Sequence, residues 1–339
     1  MTDQAAKTNL LVVLGATGNQ GSAVLKHFAN DPSSHSYKLR GISRNINSDA
    51  SKELAQLGIE VLQGELNDLA SLKEAFSGAT HIFANTDSNA LIFNAISQPD
   101  ILTEGQTALS YAHDMELAYG KNIADAAAST LTLQRLVWSG IPSPKKCSGG
   151  KYTKVSMWDV KEEISEVLYS KPELKGKVST ILVGIYATMP IKLPMLYAPQ
   201  KQPDGTYEMA LHMTGDRPIP LADLDTDLGP WISALFKAPP GTKLVGATEN
   251  LTWKEWLSKW AKHNNVRASF RRCSDDEVLA KVPGLGDSLL EIASFFEEFE
   301  WTGGSTGAVY PEELRKRGVE VSVGSIDEQI ARSDCSSIL

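Results

Sequence analysis

The segment LLVVLGATGNQGSAV, residues 10–24, carries the clearest structural signal in the N-terminal half of the chain. An apolar run with strand character ends in three glycines, Gly15, Gly18 and Gly21, and a helical pattern follows. Gly15 permits a tight turn, Gly18 allows the backbone to approach a pyrophosphate closely, and Gly21 lets the helix pack against the strand. The N–H groups and the dipole of that helix attract the anion. The stretch therefore predicts a dinucleotide-binding loop, with contacts from Gly15, Thr17, Gly18, Asn19, Gln20 and Gly21.

Apolar runs alternate with amphipathic stretches through the first half of the chain. The predicted strands are residues 10–15, 38–43, 59–64, 80–86, 135–140 and 178–186, and the predicted helices are 22–30, 49–57, 68–76, 104–128 and 158–169. Several of these strands are almost continuously apolar, which is typical of a sheet covered on both faces. The alternation predicts an α/β fold with a doubly wound parallel sheet of the Rossmann type.

The sequence pattern changes after Tyr186. Prolines cluster at positions 190, 194, 199, 203, 218 and 220, and helical patterns return at 224–236, 253–263, 275–281 and 289–299. We expect residues 1–188 to form a nucleotide-binding Rossmann domain and residues 189–325 to form a smaller α/β cap domain that shares its core and binds substrate. Residues 326–339 are expected to form a polar, loosely held tail.

The composition excludes several classes of function. The chain has 33 basic and 41 acidic residues, a formal net charge of −8, which argues against a nucleic-acid-binding surface. No apolar run reaches the roughly 18–20 residues of a membrane span, and the polar start at residues 1–9 is no secretory signal. The 3 cysteines are too few and too scattered for a disulfide framework or a zinc site. We therefore predict a cytoplasmic protein without a metal.

The end of the second predicted strand indicates which nucleotide binds. An NAD site requires an acidic residue there, and this chain has the sequence GISRN at 41–45. Arg44 can form a bidentate pair with a 2′-phosphate, so the cofactor is predicted to be NADP(H). Asn85, Thr86 and Asp87 end the fourth strand, and ligands bind at the carboxyl ends of strands. We expect Asn85 and Thr86 beside the cofactor and Asp87 beside the substrate.

Several blocks together resemble the NmrA-like family of atypical short-chain dehydrogenases/reductases. They are GATGNQG (15–21), ISRN (42–45), QGELND (63–68), YGKNIADAA (119–127), RLVWSGIP (135–142), VSMWDVKEEISEVL (155–168), ILVGIYATMP (181–190), PDGTYEMA (203–210) and IPLADLDTDLGPWI (219–232). The resemblance implies a cofactor contact from Asn67 near the adenine, and from Gly184 and Tyr186 at the nicotinamide end. It also implies a role in fungal secondary metabolism.

The catalytic residues depart from the usual pattern of these dehydrogenases. Their Tyr-x-x-x-Lys pair uses the lysine to bind the nicotinamide ribose and to lower the pKa of the proton-donating tyrosine. The resemblance assigns the lysine to Lys161, but Met157 occupies the tyrosine position. Tyr186 and Ser139, which ends the fifth strand, are candidates for the missing proton donor. NmrA regulators share the Met-Trp-x-x-Lys form, whereas other family members transfer hydride without the tyrosine.

The predicted substrate wall is aromatic and apolar. It contains Trp158, Met189 and Tyr197, together with Tyr152 in the loop KKCSGGKYTK at 145–154, which we expect to be flexible enough to swing over the site. We predict an NADPH-dependent reductase of an apolar aromatic ketone, imine or enone. The alternatives are a redox-sensing regulator that acts through a protein partner such as a transcription factor, and a redox-neutral enzyme with a structural cofactor. A homodimer is left open.

Overall fold

The computed structural model describes residues 9–34, 36–282, 284–304, 307–336 and 338–339. The strands are β1 Asn9–Val13, β2 Tyr37–Ser43, β3 Glu60–Gln63, β4 His81–Ala84, β5 Arg135–Gly140, β6 Val178–Val183, β7 Ile185–Tyr186, β8 Gln200–Lys201, β9 Tyr207–Leu211, β10 Ile219–Ala222, β11 Lys243–Gly246, β12 Glu249–Leu251, β13 Ala268–Arg272 and β14 Ala308–Val309. The helices are α1 Asn19–Asn30, α2 Asp49–Gln56, α3 Leu69–Ala75, α4 Ser88–Ser97, α5 Ala108–Ala128, α6 Pro144–Cys147, α7 Ser156–Ser170, α8 Met189–Lys192, α9 Pro194–Tyr197, α10 Gly229–Lys237, α11 Trp253–His263, α12 Asp275–Lys281, α13 Gly286–Phe299, α14 Pro311–Lys316 and α15 Ile326–Arg332. A π-helical turn, Leu224–Leu228, precedes α10.

A large sheet of 8 strands forms the centre of the molecule, in the order β14-β11-β6-β5-β4-β1-β2-β3. Every neighbouring pair in this sheet is parallel. Val13 of β1 lies in register with Gly41 on one side and Phe83 on the other. The chain winds outward in opposite directions from β1 and β4, so a crevice opens beyond their carboxyl ends. The predicted doubly wound Rossmann sheet is confirmed.

Helices cover both faces of the large sheet because its strands are apolar on both sides. On one face α1, α2, α10 and α14 bury a cluster that includes Phe28, Trp231 and Leu235. On the other face α3, α5 and α7 bury a second cluster around Trp138 and Ile164.

The later part of the chain builds a smaller layer beside the sheet. One small sheet has the order β12-β10-β7 and another has the order β13-β9-β8. Both pack with α11 around a third apolar cluster that contains Trp253, Trp256 and Trp260. Strands β11 and β14 come from this part of the chain yet belong to the large sheet. The domain boundary at residue 188 stays a prediction.

The predicted strand 178–186 is broken at Gly184 into β6 and β7, which belong to different sheets. A Cβ atom on Gly184 would lie 2.3 Å from the carbonyl oxygen of Pro220, so a glycine is required where β10 crosses this point. The break turns the chain from the large sheet into the cap.

The expectation of a loosely held tail is wrong for the described residues of 326–339. Ile326 and Ile330 of α15 are buried in the third apolar cluster, and Cys335 and Ile338 are buried beside them. The Ser325 side chain caps α15 by accepting a hydrogen bond from the N–H of Asp327. The segment therefore belongs to the cap.

The prediction that the chain has no secretory signal rests on residues 1–9. Of these, residues 1–8 lie outside the described residues. Within the part of the chain that the structure describes, no helix combines the length and the apolar character that a bilayer crossing requires.

Candidate nucleotide-binding site

The glycine loop joins β1 to α1 at the crevice. Gly15 adopts a positive φ of 61° that favours glycine, and the N–H of Gly18 donates to its carbonyl at 2.9 Å. A Cβ on Gly21 would lie 2.2 Å from that same carbonyl oxygen, so the third glycine lets α1 begin directly against the turn. Gly15, Thr17, Gly18 and Asn19 are exposed.

The loop fits the group that the sequence predicts. Helix α1 begins after Gly18, which has no side chain to cap the first turn. The N–H groups of that turn are therefore available to an external anion, and the helix dipole favours a negative charge at this end. Because no charged side chain occurs between Gly15 and Gly21, nothing in the loop opposes a bound pyrophosphate.

Arg44 lies directly after β2 and is exposed. Burial raises the pKa of Tyr119 on α5, and the charges of Tyr111, Arg44 and Glu65 are close enough to act on the same hydroxyl. The structure thus brings Arg44 together with a half-buried aromatic ring and the acidic residue that follows β3. Asn67 is exposed in the same β3–α3 loop.

Residues after β4 meet the glycine loop from the other side. A Cβ on Gly15 would lie 2.8 Å from Asn85 Oδ1, so the Asn85 amide lies against the turn. Asp87 caps α4, because its Oδ1 accepts a hydrogen bond from the N–H of Ala90 at 3.2 Å. Asp87 therefore has a structural role as a helix cap, and its contact with substrate stays a prediction.

Lys161 extends from α7 to the residues after β4. Its Nζ donates to the Thr86 carbonyl oxygen at 2.5 Å and to Thr86 Oγ1 at 2.7 Å, and it lies 2.5 Å from Glu116 Oε1. The Glu116 side chain is fully buried, whereas the Lys161 side chain is 13% exposed. The hydroxyls of Thr86 and Ser88 both donate to the Glu116 carboxylate. Three elements, α5, α7 and the β4–α4 turn, therefore converge on one charge-paired lysine.

No proton donor replaces the missing tyrosine at its own position. Met157 lies one turn before Lys161 on α7, and its carbonyl oxygen accepts a hydrogen bond from Ser88 Oγ at 3.2 Å. The indole N–H of Trp138 donates to the Lys161 carbonyl at 3.2 Å, which fixes α7 against β5. The backbone of α7 is anchored on both sides of the lysine, but the Met157 thioether has no proton to donate.

Tyr186 is the nearer of the two candidate proton donors to the glycine loop. Gln20 Nε2 donates to Tyr186 Oη at 2.9 Å, so the phenolic proton itself is not used in that bond. Burial raises the pKa of Tyr186, which keeps the phenol protonated. Ser139 is buried at 7% exposure and alternates with Trp138 along β5. Its side chain therefore faces away from α7 and Lys161.

The predicted substrate residues lie in two separate clusters. Tyr152 is buried, and its hydroxyl donates to Glu298 of α13 at 2.6 Å, so the expectation of a free, swinging side chain is wrong. Trp158 packs on Phe296 and Trp301, with ring centroids 5.4 Å and 5.8 Å away.

Tyr197 belongs to the cap cluster. It lies on the ring of Trp253 at a centroid distance of 5.7 Å. Met189 begins α8 and is partly buried. The structure does not bring Tyr197 into one cluster with Trp158.

Three residues beside the site were not predicted from the sequence: Glu116, Ser88 and Lys192. Glu116 carried a signal, because it lies four residues from both Ala112 and Gly120 on the buried stripe of α5. A charged residue within a stripe of small residues indicates a buried partner. Lys192 of α8 donates to Asn19 Oδ1 at 2.7 Å, and nothing in the sequence pattern pointed to this contact.

A doubly wound sheet with a glycine-rich turn at its switch point defines a Rossmann-type protein. The sequence profile of the NmrA-like family matches residues 7–332. The chain therefore belongs to the NmrA-like family, as its sequence blocks predicted.

Two relatives are named for different roles. The chain is 26% identical over 297 residues to the NmrA-like family domain-containing oxidoreductase hkm9 of Aspergillus hancockii, covering 84% of this chain and 82% of that protein. It is 25% identical over 303 residues to the nitrogen metabolite repression protein nmrA of Emericella nidulans, covering 87% of this chain and 77% of that protein. The family thus contains both oxidoreductases and a repression protein.

A solved structure supports the same fold. NmrA, a negative transcriptional regulator, in complex with NADP has a TM-score of 0.71 to this chain at 21% identity. The match covers 98% of this chain and 97% of that one. At this level of identity the likeness concerns the fold alone.

Proposed function

We propose that this chain is an NADP(H)-dependent reductase that acts on an apolar, aromatic small molecule with a ketone, imine or conjugated alkene group. The observation that carries the proposal is the buried Lys161–Glu116 pair, which holds an ammonium group where the turn after β4 meets the glycine loop. Membership of a family with named oxidoreductases supports it. The fungal relatives support a role in secondary metabolism.

The proposed cofactor contacts follow the crevice from one end to the other. The loop residues Gly15, Thr17, Gly18, Asn19, Gln20 and Gly21 would hold the pyrophosphate. Arg44 would pair with the 2′-phosphate, with Asn67 near the adenine. Asn85, Thr86, Lys161, Gly184 and Tyr186 would border the nicotinamide half. When bound, the reduced nicotinamide supplies the hydride.

Lys161 would bind the nicotinamide ribose hydroxyls. An ammonium has three donors, and the Thr86 carbonyl, Thr86 Oγ1 and Glu116 share them in this structure. Glu116 is fully buried and lies 2.5 Å from the ammonium, so this contact would hold Lys161 in place beside the cofactor. A ribose hydroxyl would then replace one Thr86 contact without loss of the ion pair.

Tyr186 is the better candidate to protonate the substrate. Its Oη already accepts from Gln20, which orients the phenol and leaves its own proton free to donate. Ser139 stays a prediction, and its place on the face of β5 away from α7 disfavours it. Water is the remaining source of the proton.

The aromatic cluster on α7 and α13 supports an apolar substrate. Trp158 follows Met157 on α7, so it lies one turn from Lys161, and it packs against Phe296 and Trp301. A substrate beside Lys161 would meet the partly buried ring of Trp158, and an aromatic surface favours a planar, apolar molecule over a charged one. Asp87 and Met189 are proposed as further substrate contacts.

The test is oxidation of NADPH by the purified protein with a panel of aromatic ketones, imines and enones. We expect substrate-dependent loss of reduced nicotinamide absorbance, and a Tyr186→Phe variant to lower kcat by about 10²-fold. Tyr169→Phe is the matched control, because Tyr169 lies near the end of α7 and its hydroxyl bonds Thr180 of β6 at 3.1 Å. No oxidation with any member of a broad panel would contradict the proposal.

Two observations favour a second candidate, a redox-sensing regulator that acts through a protein partner. Met157 removes the usual proton donor, and a curated relative is a repression protein. A sensor would bind NADP⁺ and NADPH with clearly different affinities and oxidise nothing. A titration of both forms beside the oxidation assay separates the two functions.

A further inference from the structure

The short helix α8 lies against the glycine loop through two adjacent contacts. Lys192 Nζ donates to Asn19 Oδ1 at 2.7 Å. The next loop residue, Gln20, bonds Tyr186 at 2.9 Å. Residues 186–192, which lead from β7 to the end of α8, therefore contact two consecutive residues at the start of α1, the part of the loop where an anion would bind.

The Lys192 charge has no carboxylate partner in the described part of the chain. Its Nζ reaches the neutral amide of Asn19, and no side-chain oxygen of a described acidic residue lies within 4.0 Å of it. The loop itself contributes N–H groups and no cation between residues 15 and 21. An uncompensated ammonium beside an uncapped helix N-terminus raises the local positive potential.

Gln20 gives an independent indication that the loop is incomplete without a ligand. Its Oε1 is buried and has no hydrogen-bond partner among the described residues. An unpaired buried acceptor is destabilising. A ligand that offers a hydrogen-bond donor to Oε1 would therefore stabilise the Gln20 side chain. Both side chains that link the cap to the loop thus have unused hydrogen-bonding capacity.

We propose that Lys192 is a pyrophosphate ligand that ties the cap to the bound nucleotide. In the bound state Nζ exchanges Asn19 Oδ1 for a pyrophosphate oxygen, a charge-assisted contact stronger than the one it replaces. The inference rests on the nucleotide binding of the proposed function and is independent of turnover. It differs from the role of Arg44, because the pyrophosphate is common to NAD and NADP in both oxidation states.

The exchange couples nucleotide binding to the cap. The Gln20–Tyr186 hydrogen bond would restrain residues 186–192 at one end, and the contact between Lys192 and the pyrophosphate would restrain them at the other. Met189 lies between these two contacts. Binding should therefore slow amide exchange in α8, whether the protein is a reductase or a sensor.

The experiment compares Lys192→Gln and Lys192→Glu with the wild type in calorimetric titrations of NADPH, NADH and adenosine 2′-monophosphate. We expect Lys192→Gln to weaken NADPH and NADH by the same factor, about tenfold, and Lys192→Glu to weaken both further. Adenosine 2′-monophosphate, which lacks the pyrophosphate, should bind both variants as it binds the wild type. Lys262→Gln, an exposed lysine in the last turn of α11, is the matched control.

Each other outcome has a definite meaning. Wild-type affinity of Lys192→Gln for both dinucleotides overturns the inference and leaves the proposed cofactor intact. An equal loss for adenosine 2′-monophosphate also overturns it, because the effect would then be general to the loop or to the protein charge. A wild-type protein that binds no nucleotide overturns the proposed function together with this inference.

Discussion

Glu116 Oε1 and Lys161 Nζ form an ion pair at 2.5 Å between α5 and α7, and the carboxylate side of the pair is fully buried. Thr86 and Ser88 donate to the same carboxylate, so its acceptor capacity is largely filled by groups from the turn after β4. Removing one partner of such a pair leaves a buried charge unpaired, which lowers the free energy of unfolding. Removing both partners can leave that free energy nearly unchanged. Lys161 is therefore a structural as well as a proposed catalytic residue.

The first prediction concerns the energetics of this pair. Lys161→Met and Glu116→Gln should each lower the free energy of unfolding by about 3 kcal/mol, because each leaves one buried charge unpaired. The double variant should recover at least half of the summed loss. Urea unfolding of the four proteins measures the cycle. Additive losses would contradict the view that the two charges depend on each other.

The second prediction concerns Gly21. A Cβ there would lie 2.2 Å from the carbonyl oxygen of Gly15, so Gly21→Ala must displace α1 or the turn. We expect a loss of about 1–3 kcal/mol in unfolding free energy, together with weaker nucleotide binding. Ser22→Ala, at the next position of the same helix, should stay within about 0.5 kcal/mol of wild type. Equal stabilities for the two variants would show that the close approach is not a constraint.

The third prediction concerns Arg44. Because its guanidinium would pair with a 2′-phosphate, Arg44→Ala should weaken NADPH by about tenfold or more and leave NADH within about twofold. Competition titrations with both nucleotides give the two ratios. Lys38→Ala, which removes an exposed cation of the same strand, is a control for charge alone. A parallel loss of NADH in Arg44→Ala would assign the residue to the adenine instead.

The fourth prediction concerns acid stability. His81 is buried, and burial together with the Arg135 charge lowers its pKa from 6.5 to about 4. A depressed folded-state pKa means that the unfolded chain binds the proton more readily between these values. The stability from neutral His81 is therefore full above pH 6.5 and is lost as the pH falls to about 4.

The measurement is unfolding at neutral and acidic pH for the wild type and His81→Asn. The wild type should lose about 3 kcal/mol more than the variant between pH 7 and pH 4, from about 1.4 kcal/mol for each unit of pKa shift. Other titrating groups cancel in this difference. Identical pH profiles for the two proteins would contradict the assignment.

Much of the fold could be predicted because local signals agreed with the final packing. The helices expected at 253–263 and 275–281 coincide with α11 and α12, each of which begins with a capping box. Helix α4 was not predicted, because Phe93 and Ile96 are exposed while Ile92 is buried, so its apolar residues form no single stripe.

The tail illustrates the limit of reasoning from composition. Residues 326–339 look polar as a whole, yet Ile326 and Ile330 lie four apart on one helical face and dock on the cap. Whether a short amphipathic segment packs depends on a surface built by distant residues. Helix α15 packs in this way against α11, which lies more than 60 residues earlier in the chain.

The site was predictable where backbone geometry imposes the residue type. Glycines at a close approach can be identified from sequence, as Gly15 and Gly21 were. Long-range side-chain pairs such as Lys161 with Glu116, or Lys192 with Asn19, join residues 45 and 173 positions apart in the chain. No local pattern specifies such pairs, because the topology of the sheet brings them together.

Calorimetric titration of the wild-type protein with NADPH and with NADH measures the nucleotide binding on which both proposals rest. We predict saturable binding of both, with NADPH bound at least about tenfold more tightly because only it carries the 2′-phosphate for Arg44. The absence of binding to either nucleotide, or tighter binding of NADH, would contradict the account.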